Sequence, residues 1–150
     1  MLKQKPFPFS VVVLAVLISL HLVGSYYSWY WVYSWFDIVV HILGGLWVAS
    51  VFLWLSSYLG EINSMKEYKV KSFLIALVSG LLVGVVWELS ENLGGITFIN
   101  LDGYGLDTAF DLVNGALGAI LAYFYFVKKK KSAVPHLDTL HPFYNQIRSN

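Results

Sequence analysis

Val70-Lys71-Ser72-Phe73-Leu74-Ile75-Ala76-Leu77-Val78-Ser79-Gly80-Leu81-Leu82-Val83-Gly84-Val85-Val86-Trp87-Glu88-Leu89-Ser90-Glu91 is an almost unbroken apolar run that closes on two carboxylates. About 20 mainly apolar residues are needed to cross a hydrocarbon core of roughly 30 Å, so the run reads as a membrane-spanning helix. Three further stretches meet the same length: Pro8 to Gly24, Trp31 to Tyr58 and Leu106 to Val127. The second is the longest and opens on a crowd of aromatics from Tyr26 to Trp35, as a belt at headgroup level would.

The rest of the composition agrees. Of the 150 residues, 57% are hydrophobic and 13% charged, against about 25% charged in a soluble domain. The formal net charge of +1 excludes a strongly basic nucleic-acid binder, and the lack of cysteine excludes disulfides, thiolate metal sites and a cysteine nucleophile. The expected fold class is all-α: a polytopic four-transmembrane-helix bundle over residues 1–127, with contacts to membrane lipids. Residues 128–150, which carry Pro135 and Pro142 and lack helical periodicity, read as a basic, mostly disordered cytoplasmic tail. His136 and His141 within it read as solvated.

Basic residues set the orientation. Lys3 and Lys5 precede the first span, Lys66, Lys69 and Lys71 lie between the second and third, and Lys128 to Lys131 follow the fourth. The other two connections hold no Lys or Arg. Positive loops stay inside, so both termini are expected in the cytoplasm of a cell whose plasma membrane the chain crosses four times. A cleaved signal peptide is the rival reading of the N-terminus, with an apolar run from Val11 to Leu20 and small residues Gly24 and Ser25. Its A-x-A pattern is poor, and the first span is expected to be retained.

Five of the nine acids, Asp37, Glu88, Glu91, Asp107 and Asp111, fall inside or at the ends of these spans with no basic partner. Such groups are costly in a bilayer and ordinarily mark a functional site facing the bundle interior. At 1.5 Å per residue, all five fall on the extracytoplasmic side, in one layer with His41 and with His21 and Asn114 at its margin. Helical phase agrees. Asp37, His41, Gly44 and Gly45 form one stripe; Gly80, Gly84, Glu88 and Glu91 a second; Asp107, Asp111, Asn114, Gly115 and Gly118 a third. The glycines are expected to let the helices pack closely below an acidic pocket. The plainer reading is that these polar groups only hydrogen-bond the helices together.

Clustered carboxylates in a low dielectric must share protons or a cation. Histidine with carboxylates suits a divalent Zn, Mn or Fe(II) ion, and Asp37-x-x-x-His41 places two such ligands on one helical face. The expectation is that Asp37, His41, Glu88 and Asp111 hold the ion while Glu91 or Asp107 acts as general base. The same groups would serve a proton relay. The glycine-rich connection from Asn92 to Gly105 is expected to rest on the membrane surface, with a hinged lid as the alternative.

Phe36-Asp37-Ile38-Val39-Val40-His41 with Gly44-Gly45, then Trp87-Glu88-Leu89-Ser90-Glu91, then Asp107-Thr108-Ala109-Phe110-Asp111 with Gly115-Ala116 and Gly118-Ala119, resemble the YjdF-like family of small prokaryotic membrane proteins over roughly Phe36 to Tyr123. The layout is more distantly similar to VanZ-like proteins, although Glu91 stands where those carry Gln and Asn114 lies one residue nearer Asp111. VanZ-like members are associated with glycopeptide-antibiotic tolerance, so the resemblance implies a place in the cell envelope.

No phosphate-binding loop, nucleophile elbow or H-E-x-x-H motif occurs, and no Arg lies near the acidic layer. Two function classes stand beside a purely structural membrane partner. One is a metal-dependent enzyme acting on an envelope lipid or lipid-linked precursor; the other is a small proton- or cation-coupled transporter. The inner halves of the spans, mainly Gly, Val, Leu and Ala, disfavour the relay.

Overall fold

The computed structural model describes residues 7–59, 65–93 and 103–140, and these are almost wholly helical. In chain order the helices are α1 (Phe7–Tyr26), α2 (Trp29–Val32), α3 (Ser34–Leu59), α4 (Met65–Leu93) and α5 (Tyr104–Leu140). Every helix but α2 is long and apolar enough to cross a membrane, which gives four candidate spans. Helices suit that medium because each satisfies its own backbone hydrogen bonds. Most of the glycine-rich connection between α4 and α5 lies outside the described residues, as do residues 141–150. α5 continues through the lysines beyond Val127, where the fourth span ends by composition.

The aromatic stretch before the second span is a separate element. Ser28 takes a left-handed conformation (φ 58°) and Tyr33 an extended one (φ −125°, ψ 99°), so α2 is a single turn set off from α3. It lays Trp29 and Tyr30 edge-on over Phe36, with ring centroids 5.5 and 4.9 Å away. Phe36 is fully buried, and its ring occupies the space that a Cβ at Gly24 would need. The α1–α2–α3 turn is thus pinned by one aromatic ring in a glycine socket.

α3 is the central helix, packed by α1, α4 and α5, while α4 and α5 also pack on each other. α5 runs parallel to α3. At one end Asp111 meets Asp37 and His41, and at the other Phe126 and Ala122 share a core with Leu53 and Ala49. Small residues govern the approach. A Cβ at Gly45 would overlap the carbonyl oxygen of Gly115, and one at Gly118 would overlap that of Ile42. On α4, a Cβ at Gly80 would stand 2.8 Å from the Ala119 methyl, and one at Gly84 2.9 Å from Leu112. Dispersion at close range, rather than exclusion of water, holds such helices together in lipid. Gly44 departs from the packing role its stripe suggests. A Cβ there would meet nothing within 4 Å, because Gly44 lines an open crevice.

A candidate metal centre at one end of the bundle

His41 and Asp111 are placed by the glycine contact just described. Each lies four residues before its contact glycine, Gly45 and Gly115, on parallel helices. Both side chains therefore project about 6 Å along the axis from the same backbone touch. His41 Nε2 lies 3.4 Å from Asp37 Oδ1, one turn away on α3, and 3.6 Å from Asp111 Oδ1 across the interface. One potential ligand atom from each of the three residues lies within 4.8 Å of the other two.

Burial is deep and satisfaction incomplete. His41 is 8% exposed and Asp111 6%, and His41 Nε2 has no hydrogen-bond partner. A charged imidazole paired directly with carboxylates would stand at about 2.7–2.9 Å. Spacings of 3.4 and 3.6 Å from the imidazole instead come near two edges of a tetrahedron of ligands around a shared ion, since bonds of 2.0–2.1 Å give edges of about 3.4 Å, and the two carboxyl groups, within 4.8 Å of each other, would close the third on binding. The donor set also suits such an ion, one imidazole nitrogen and two carboxyl oxygens.

Glu88 approaches from α4 and stands outside this trio, yet within electrostatic reach of Asp111. It is 5% exposed; Thr108 donates its hydroxyl to Oε2 at 3.0 Å, while Oε1 is buried without a partner. Glu91, half-buried one turn on, accepts the Trp87 indole N–H at 2.8 Å. It lies in electrostatic reach of Glu88, His41 and Asp37. Asp107 is exposed on the first turn of α5 and in electrostatic reach of Asp111, and Asn114 is half-buried one turn further along that helix. His21 on α1 pairs through Nδ1 with the Tyr30 hydroxyl at 2.8 Å and meets the Trp87 ring edge-on at 5.8 Å.

Thr108, Trp87 and Tyr30 are site residues that charge patterning passes over. Thr108 sits in phase with Asp111, three residues before it, and inside the motif from Asp107 to Asp111, and these are the sequence signals that point to it. Tyr30 falls in the aromatic belt by composition, but the break at Tyr33 turns it inward onto His21. Burial, then the carboxylates of Asp37 and Glu91, push its phenol up to about 12.

Beside the trio a partly open crevice with a cavity volume of about 70 Å³ runs between α1 and α4 over the face of α3. Leu17 forms one wall, Val83 and Gly84 the other, and Gly44 and Val48 part of the floor, while His41 and Trp87 stand at one end.

A family model described as "Predicted membrane protein (DUF2238)" matches residues 3–132, and the chain belongs to that family. No curated protein and no solved structure gives a significant match.

Proposed function

For this member of a membrane-protein family, we propose that Asp37, His41 and Asp111 bind a divalent cation of the Zn, Mn or Fe(II) class. The ion activates water against an envelope lipid or a lipid-linked precursor. The observation that carries the reading is the buried, unpartnered Nε2 of His41 set 3.4 and 3.6 Å from two carboxylate oxygens. A bound divalent ion lowers the pKa of its water toward neutrality and so supplies hydroxide where free hydroxide is scarce.

Glu88 is the carboxylate suited to take the proton. Its Oε1 is free, its Oε2 is oriented by Thr108, and it flanks the trio without belonging to it. Glu91 is engaged by Trp87 and Asp107 is exposed, which leaves them to shape the field and the entrance. The opposite half of the bundle packs Ala49, Leu53, Ala76, Ala119, Ala122 and Phe126 beside the buried hydroxyls of Ser50, Ser72 and Tyr68, and it buries no carboxylate or histidine among the described residues, which favours chemistry at one face over a relay across the membrane.

The lysine clusters support a plasma-membrane protein with both termini in the cytoplasm and the metal centre on the extracytoplasmic side. The YjdF-like and VanZ-like likeness of the three motifs supports the same face of the envelope. Elemental analysis of purified protein tests the proposal. One metal per chain, lost in an Asp37→Asn, His41→Ala double variant that keeps its helical content, is expected. A metal-free wild type with normal fold would remove the mechanism.

A further inference from the structure

The crevice between α1 and α4 is not needed to hold an ion. Five features give it a direction and a use. Its lining residues all fall within the candidate membrane spans of α1, α3, α4 and α5, at a depth where the surrounding medium is hydrocarbon. α1 rests on α3, and its one ring contact with α4 among the described residues is His21 against Trp87, at the acidic end. Apart from that contact α1 and α4 share little packing, and the cleft between them is partly open. Its floor at Gly44 has nothing within 4 Å of where a side chain would begin. Its lining is apolar except at one end, where His41 stands with its unpartnered Nε2.

From His41 to Val48 the floor extends about 10 Å along α3, and Gly80 to Trp87 cover the same length of α4. That is about two thirds of one leaflet's hydrocarbon depth. Two helices set the walls and a glycine sets the floor. A slot of that shape, apolar along its length and polar at one end, fits one hydrocarbon chain whose polar link lies at His41.

We infer that this crevice is a chain-binding subsite. One acyl or prenyl chain of a membrane amphiphile enters laterally between α1 and α4, lies over Gly44, and presents its head-proximal bond to the Asp37–His41–Asp111 centre. The inference rests on the metal reading for the chemistry at the polar end, but the slot itself depends only on the packing of α1, α3 and α4 with Gly115 of α5. Trp87 stands where chain and head meet, its ring edge-on to His41 at 6.5 Å and its N–H held by Glu91.

The probe is a phosphatidylglycerol with a diazirine midway along one acyl chain, incorporated with the protein into vesicles of unlabelled phosphatidylglycerol. After photolysis, labelled residues are mapped by mass spectrometry. Labelling at Leu17, Trp47 and Val83 is expected to exceed that at Val12 and Leu82, which lie open to lipid, by several-fold. Gly44→Leu fills the slot from its floor without meeting a neighbouring atom at Cβ. It is expected to lower the crevice labels several-fold, to leave those at Val12 and Leu82 unchanged, and to keep the wild-type metal content. Val83→Phe narrows the slot from the other wall and is expected to act alike. Crevice labelling no higher than at Val12 and Leu82, or unchanged in both variants, would overturn the inference. A wild type free of metal whose crevice labelling still falls in Gly44→Leu would remove the metal reading and leave the chain subsite standing.

Discussion

Replacing Gly45 by alanine adds one methyl at the point where α3 and α5 touch backbone to backbone, and its effect can be worked from the contact. The new Cβ would overlap the Gly115 carbonyl oxygen and lie 2.7 Å from its carbon, where ordinary contact begins at 3.4 Å. The helices must separate by at least the difference, 0.7 Å. The His41–Asp111 edge, 3.6 Å in the native chain, then opens to about 4.3 Å if the helices move as rigid bodies. Two ligands on bonds of about 2.1 Å cannot lie further apart than about 4.2 Å, so a shared ion loses one of them. Affinity should fall by about 10–100-fold, the range seen when ligands are mispositioned by their support, and stability by about 1–3 kcal/mol from overpacking. Gly44→Ala is the control, one residue away on the same helix with open space at Cβ. Competition with a chelator of known affinity measures binding in both, and unfolding in mixed micelles measures stability. Equal effects in the two variants, or wild-type affinity in Gly45→Ala, would refute the link between glycine contact and metal centre.

Thr108→Val removes the donor that orients Glu88 and should cost about 1.5–3 kcal/mol in the same unfolding assay, as lost hydrogen bonds to charged groups do, with Thr108→Ser retaining most of it. Tyr30 should yield its phenolate near pH 12 rather than near the ordinary 10.0, as read by ultraviolet difference absorbance against Tyr30→Phe. Because its pKa is higher in the folded chain, the native state keeps a proton that the unfolded one has lost between pH 10 and 12. The corresponding stability is present below pH 10 and disappears as pH rises through that window, and no such loss is expected in Tyr30→Phe. Cysteines introduced singly as Ser28→Cys, Ser64→Cys and Asn100→Cys test orientation with an impermeant thiol reagent on intact cells. Labelling at 28 and 100 but not at 64 is expected, and the reverse pattern would invert the topology.

The four spans were legible because a bilayer leaves a chain few choices: long apolar segments must close their own backbone bonds, and length alone counts them. The nearness of Asp37 and His41 was legible from their spacing on one helix. Depth could bring Asp111 to their level, since parallel spans of similar length share a depth scale. Pattern could not show that Gly45 meets Gly115 rather than Gly118, a difference of one turn that decides which side chains face each other. Nor could hydropathy register the break at Tyr33, because an aromatic stretch is equally apolar in one helix or two, and so Tyr30 stayed in the belt. Gly44 and Gly45 are identical as letters. Both line the crevice, but only at Gly45 does α5 come close enough to take the place of a Cβ.

X-ray absorption at the zinc edge, on protein loaded with one equivalent of zinc, tests the metal centre most directly. The account predicts a first shell of nitrogen and oxygen at about 2.0–2.1 Å, with the outer-shell scattering of a single imidazole that disappears in His41→Ala. A shell without imidazole scattering, or one unchanged by His41→Ala, would contradict it.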